Sequence, residues 1–295
     1  MAEQKKRKRR WGDRNDGRRL RTISPYMAIT PFIMPQRNDA CNQFSDSIEI
    51  TETDRFLRTQ RKEGMKGLGM LHLFVAAYVR AVSQYPSLNR FISGQRVYAR
   101  NNIEVVMTIK RSLDPTAEES SIKVALTPAD TLPDVYRKME DAIADIKNNV
   151  ENGTDKLAGL IMSMPRFLIN FAVKCILRPM DYLFGLPKPI LNASPFHGSM
   201  IITDIGSLGI PPIYHHIYNF GNLSVFVSFG AKYRKMEVDL SGAMRERKYI
   251  DFKVNTDERI TDGSNYAAAF KIMRRCVAHP EQLMTPPEVV REDVE

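Results

Sequence analysis

Apolar and polar positions alternate along several stretches of this chain and recur at helical spacing along others. FSDSIEIT (44–51) alternates and predicts a strand. In the 67–92 segment, Leu71, Phe74, Val75, Tyr78, Val79 and Val82 return every three or four residues and predict a helix that Pro86 ends. Residues 96–112 predict two strands around an Asn-Asn turn, and SIKVALTP a further strand. TLPDVYRKMEDAIADIKNNVENG predicts a helix with Thr131 as N-cap, Pro133 early and Gly153 at its stop. Strands are expected over 199–206, 223–239 and 247–257, with the Gly/Pro-punctuated GSLGIPPIYHHIYNFG between the first two. A last helix follows in ITDGSNYAAAFKIMRRCVAHPEQLM. Pro25, Pro31 and Pro35 exclude a long helix over 23–43. Helices and strands mix without a βαβ rhythm, and no GxGxxG, P-loop or repeat occurs. That order predicts an α+β fold, a two-layer sandwich with a mixed sheet.

The most apolar stretch, 157–186, is interrupted by Pro165, Arg166, Asn170 and Lys174 and is too broken for a transmembrane helix, so no integral membrane segment is expected. A pair of helices closing over the core is the expectation. An interfacial amphipathic helix or a lid over an apolar substrate is the sharper alternative.

The 295 residues are 43% hydrophobic and 26% charged, ordinary for a globular chain. Cys41, Cys175 and Cys276 are too few and too scattered for a disulfide framework or a zinc site; no metal is expected, and a reducing cytoplasm is. The formal charge of +9 is unevenly spread: residues 1–22 carry ten Lys and Arg against Glu3, Asp13 and Asp16, +7 of the total. The expectation is a disordered basic tail over 1–22, one domain over 23–285 and an acidic C-terminal tail over 286–295. Such a basic tail suits nucleic acid, acidic lipid or an acidic partner, or serves only as a solvated arm. Nothing apolar follows it closely enough for a signal peptide.

Charge also crowds into TDERITDG (256–263), where Asp257 and Arg259 can pair at a strand end and Asp262 with Gly263 can open the last helix. His72 and His279 read as structural. His197 and the His215-His216 pair flank the 199–206 strand. GTDKLAG (153–159) looks like a lipoyl-lysine turn, but no small all-β domain surrounds it, and Lys156 reads as a surface residue.

Taken in order, LFVAAYVRAVSQYPSLNRFI, RVYARNNIEVVM, SMIITDIGSLGI, SVFVSFGA, TDERITDG and HPEQLM resemble, over nearly all of residues 23–285, the catalytic domain of the dihydrolipoyl acyltransferases of 2-oxo acid dehydrogenases, a family related to chloramphenicol acetyltransferase. RVYARNNIEVVM is similar to that family's hairpin, and TDERITDG stands where the family has D-H-R-x-x-D-G or its Asn variant. The resemblance implies a chloramphenicol acetyltransferase-like fold and acyl transfer between coenzyme A and a thiol or hydroxyl acceptor. It implies a homotrimer whose active site lies between subunits, a histidine base supplied by a neighbour, and a Ser or Thr hydroxyl that holds the oxyanion. Thr203 matches that hydroxyl, and an ordinary β-branched strand residue is its plain alternative. Asp262 matches the motif's later acidic position.

Glu258 stands at the position of the histidine. A free thiol titrates near 8.5, glutamate as a residue type near 4.3 and histidine near 6.5, so the mismatch is roughly 6 kcal/mol for glutamate and about 3 for histidine. Burial can recover much of that difference. Three readings follow: Glu258 is the base; His197, His215 or His216 has taken over proton transfer; or the domain is degenerate and binds a ligand or assembles without turnover. The expected function is a stand-alone acyltransferase without a lipoyl domain, lipoyl group or peripheral-subunit-binding domain.

Overall fold

Strand β10 (Met244–Asp257) organises the molecule. Along its second half Ile250, Phe252 and Val254 point into the core, and each is at most 2% exposed, while Asp251 and Lys253 point to the opposite face. The computed structural model describes residues 8–110, 119–148, 159 and 163–295. Within them β10 pairs with β2 (Cys41–Glu49) on one side and β8 (Val225–Phe229) on the other. The sheet continues through β7 (Met200–Asp204), β5 (Ile103–Lys110) and β6 (Glu119–Leu126). β7 is parallel to both of its neighbours and the other pairs are antiparallel, so the sheet is mixed. Residues 244–248 of β10 pair only with β9 (Tyr233–Val238), forming a two-stranded ribbon with Met236, Val238 and Met244 exposed.

Helices α2 (Thr51–Lys62), α3 (Met70–Gln84), α4 (Leu132–Asn148) and α8 (Gly263–Ala278) make the second layer. In α3 all side chains except Leu71, Arg80 and Gln84 are buried, and Phe74 stacks on Phe229 of the sheet at 4.9 Å. Thr131 caps α4 as its sequence predicts: its Oγ1 accepts from the Asp134 N–H at 3.4 Å and donates to the Asp134 carboxylate at 2.6 Å. The opposite face of the sheet carries Val106, Ile201 and Phe226, covered by the connection that bears Ile217 and Leu223. The α+β, two-layer, mixed-sheet expectation therefore holds.

Residues 23–43 hold no long helix, as their prolines predict: α1 (Pro25–Ile33) runs nine residues, with Pro25 in its first turn, where no N–H is needed. Three local expectations give way. The strands β4 (Arg96–Arg100) and β5 are not a hairpin with each other. β4 belongs to a separate three-stranded sheet with β1 (Gly17–Arg19) and β3 (Arg90–Ser93), because Asn101 N–H donates to Asp16 O and turns the chain away. That sheet takes in much of the supposed basic tail, whose described residues 8–22 are packed against the domain. Arg14 is 4% exposed and pairs with Asp16 at 2.9 Å and Asp181 at 2.6 Å, beside the rings of Phe91 and Tyr98. Leu20 joins the core. An arginine with two carboxylates and two rings is an anchor, whereas the charge count treats it as one more solvated cation. The C-terminal residues dock on the same sheet, with Asp293 bridged by both arms of Arg90 at 2.5 and 2.7 Å.

The third is the 157–186 segment. Its described part forms α5 (Arg166–Phe171), a π-helical stretch (Ala172–Leu177) and α6 (Arg178–Leu183), followed by α7 (Lys188–Ala193). No side chain from Arg166 to Leu177 is buried, so these turns do not close over the core. The predicted helix stop at Gly153 and the surface position of Lys156 lie outside the described residues.

Candidate functional site

β10 leaves the sheet at Asp257 and the chain turns through Glu258 to Asp262 into α8. Asp257 is fully buried, and Arg259, 2% exposed, grips both its carboxylate oxygens at 2.8 and 2.7 Å. Arg37, also buried, brings its Nε to 4.0 Å from the same carboxylate and donates to the carbonyls of Ile92, Tyr218 and Asn219. Burial pushes the Arg37 guanidinium down to about 10; Asp257 opposes that shift and the like charge of Arg259 adds to it. Tyr266 Oη donates to Asp257 O at 2.6 Å, and Thr261 Oγ1 donates to Ser87 Oγ at 2.9 Å.

Asp262 is the N-cap of α8. Its φ of −76° and ψ of 164° are extended, and its carboxylate accepts from the N–H of Asn265 at 2.9 Å and from Nδ2 of Asn265 at 2.7 Å. The Ser264 hydroxyl, which also donates to this carboxylate, and then the Asn265 donors hold its carboxyl below the usual carboxylate range. Asp262→Ala is expected to cost about 1 kcal/mol of stability, as lost caps do; an unchanged urea midpoint would contradict the cap assignment.

Glu258 differs from its neighbours. Its backbone N–H donates to Ala40 O at 2.9 Å, yet its half-buried carboxylate has no hydrogen-bond or ion-pair partner among the described residues. Beside the turn lies a cavity of about 200 Å³, lined in part by Arg37, Ser93, Arg178, Asp181, Tyr182 and Arg259.

Thr203 lies elsewhere. It sits half-buried near the end of β7 on the sheet face of Ile201, away from the helices. It pairs with Ser228 of β8, which pairs with Lys253 of β10. Glu258 is five residues beyond Lys253, so it stands about 17 Å along the strands and about 10 Å across them from Thr203. The two occupy opposite ends of the sheet of one chain.

The three histidines divide. His215 stacks on Phe226 at 4.3 Å, on the Thr203 face, and its backbone N–H donates to Asn255 Oδ1 at 3.1 Å. Burial, then the adjacent His216, pushes its imidazole down. His216 is exposed and meets Tyr218 edge to face at 4.9 Å. His197 is 1% exposed and engaged at both ring nitrogens: Nδ1 faces Ser194 Oγ at 2.7 Å and Nε2 faces Asp181 Oδ2 at 3.2 Å. Burial favours Asp181 protonation, but the His197 hydrogen bond and the charges of His197 and Arg14 outweigh it and bring the carboxyl down to about 2. Among the described residues no three His, Cys, Asp or Glu side chains group as metal ligands.

Burial also pushes the His197 imidazole below its ordinary value, against the pull of Asp181. Above pH 6.5 both folded and unfolded chains hold it neutral. Below pH 6.5 the unfolded chain takes up a proton that the folded chain resists, so stability falls with pH down to the folded value. His72 and His215, also pushed down chiefly by burial, act in the same direction. The urea midpoint is expected to be lower at pH 5 than at pH 7, and His197→Gln is expected to shrink that difference. Equal midpoints at both pH values would contradict the assignment.

Arg37 and Asp181 carry the cavity, and neither stands out in a short motif. Asp181 is nevertheless the one acidic residue between Ser163 and Ile190, a local signal that it is paired inside.

No family model and no curated protein matches the chain. Solved structures do. A probable dihydrolipoamide acetyltransferase from Listeria monocytogenes matches at 13% identity, over 92% of this chain and 97% of that one, with a TM-score of 0.54. The dihydrolipoamide acetyltransferase of Azotobacter vinelandii, studied for the role of a serine, a histidine and an asparagine in its catalytic mechanism, matches at 14% identity over 82% and 83% of the two chains, with a TM-score of 0.52. A chloramphenicol acetyltransferase matches at 12% identity over 88% and 99%, with a TM-score of 0.50. The chain has the fold of these acyltransferases, as the order of its motifs led us to expect; at such identities the likeness is one of fold.

Proposed function

We propose that the protein transfers an acyl group between coenzyme A and a thiol or hydroxyl acceptor, at a site shared by two copies of the chain in a homotrimer. Glu258 of one copy accepts the acceptor's proton as its sulfur or oxygen attacks the thioester carbonyl. Thr203 of the neighbouring copy donates its O–H to the oxygen that becomes negative. Collapse of the tetrahedral species expels the coenzyme A thiolate, which takes the proton back from Glu258. His215, on the Thr203 face, and its neighbour His216 stand on the acceptor or donor side of the shared site. His197, held at both nitrogens, positions Asp181 beside the cavity. Coenzyme A enters as substrate, with no lipoyl group or metal on this chain, and the protein works as a stand-alone cytoplasmic enzyme.

The observation that carries this reading is the Glu258 carboxylate, which has no partner among the described residues. Every other charged side chain of its turn has a partner, so folding does not account for this one. In the Azotobacter enzyme the histidine and asparagine lie four positions apart, the spacing of Glu258 and Asp262 here. The separation of Thr203 from Glu258 within one chain supports a site that needs two.

One observation favours a second reading, assembly or ligand binding without turnover: the Arg37–Asp257–Arg259 cluster and the Asp262 cap give the rest of the turn a purely structural role. Release of free thiol from acyl-coenzyme A in the presence of a dithiol acceptor separates the two. Turnover that depends on Glu258 supports acyl transfer, and trimers without turnover for any acyl donor support the second reading.

A further inference from the structure

We propose that the helical arm Arg166–Leu183, with the start of the N-terminal segment, docks the protein on an anionic membrane surface. The arm is three residues longer than α3 but packed in the opposite way. No side chain from Arg166 to Leu177 is buried; Phe167 is 70% exposed, Phe171 57% and Ile176 49%. Tyr182, Leu183 and Phe184 continue the exposed apolar surface to the end of the arm. Aromatic and aliphatic groups left in water at this density mark a surface that something else covers.

The charges say what covers it. Arg166, Asn170, Lys174 and Arg178 recur every fourth residue and lay a polar stripe beside Phe167 and Phe171. All charges of the 163–190 stretch are positive except Asp181, which is turned inward to Arg14 and His197. A helix with an apolar face, a cationic stripe and no exposed acid suits the boundary between lipid headgroups and acyl chains, where long basic side chains reach the phosphates. The N-terminal segment adds to the same end. Asn15 Nδ2 donates to Leu186 O at 3.0 Å and Arg14 pairs with Asp181, which ties that segment to the base of the arm. Just ahead of it, Lys8 and Arg9 are exposed and Trp11 is 91% exposed. Tryptophan beside lysine and arginine is the composition of a membrane interface.

A two-fold contact with a second copy fits less well, because it would set the cationic stripe against itself. No described helix is long and apolar enough to cross a membrane, so the arm lies on the surface.

Trp11 is the chain's single tryptophan and reports its own burial. The full-length protein, mixed with phosphatidylcholine vesicles with and without phosphatidylserine, is expected to sediment with the phosphatidylserine vesicles. Its fluorescence is expected to shift to the blue, and added salt to release it. Arg166→Gln and Lys174→Gln are each expected to weaken binding about five-fold. Phe167→Ser with Phe171→Ser is expected to abolish binding; both positions are exposed, so an unchanged thermal midpoint and unchanged acyl exchange in vesicle-free buffer accompany the loss. No binding to phosphatidylserine vesicles would overturn the proposal, as would a double phenylalanine variant that binds normally. A double variant that changes only the oligomeric mass would also overturn it and assign the surface to a second copy.

Discussion

Arg259→Met is expected to destabilise the protein by about 3 kcal/mol, the low end of the range for removing one partner of a buried ion pair. The variant leaves the fully buried Asp257 carboxylate without the guanidinium that meets both its oxygens. It also strands Met34 O, which accepts from Arg259 Nη1 at 2.7 Å. The low end applies because Arg37 remains 4.0 Å from the carboxylate. Its charge is disfavoured partly by Arg259, so removing Arg259 strengthens the pair that is left. Asp257→Asn combined with Arg259→Met is then expected to cost less than the sum of the single changes, since no uncompensated acid remains. Urea midpoints of the four proteins give the coupling, and additive losses would contradict the ion-pair account.

The neighbouring position is expected to behave in the opposite way. Glu258→Gln should lower acyl exchange by about 10²–10⁴-fold, the usual contribution of a positioned general base, with no change in urea midpoint. The midpoint holds because the carboxylate is half-buried and has no hydrogen-bond or ion-pair partner among the described residues, so the amide breaks none of their contacts. Thr203→Val should lower exchange by about 10²–10³-fold, the cost of one oxyanion donor, again at constant stability. Adjacent residues of one turn thus separate, with Arg259 acting on stability and Glu258 on rate. Exchange unaffected by Glu258→Gln would remove Glu258 from the chemistry.

The sequence carries the sheet well where burial is one-sided. Ile250, Phe252 and Val254 alternate with polar residues, and that period survives into β10 because its two faces meet different surroundings. The start of α8 is equally plain, since Asp262 caps it with its own side chain. Legibility fails where a residue's role depends on a distant partner. Arg14 looks like one cation of ten until Asp181, 167 residues away, binds it. The RVYARNNIEVVM pattern gives two strands but not that they join different sheets, because strand pairing is a tertiary choice. The 166–183 arm has the apolar content of a core helix, and only its exposed phenylalanines reveal that it leaves the core. In the site, TDERITDG yields Asp257, Arg259 and Asp262 in their structural roles. It cannot give the distance from Glu258 to Thr203, which follows from the order β10-β8-β7.

That distance makes the central claim directly testable. Co-expressed Glu258→Gln and Thr203→Val chains are each expected to be inactive alone. Mixed at random in one assembly, about one contact in four joins an intact Glu258 to a neighbour's intact Thr203. Acyl exchange in the mixed assembly is therefore predicted to return to about a quarter of the unmodified protein's rate, and failure of the mixture to regain any activity would contradict a site built between two copies of the chain.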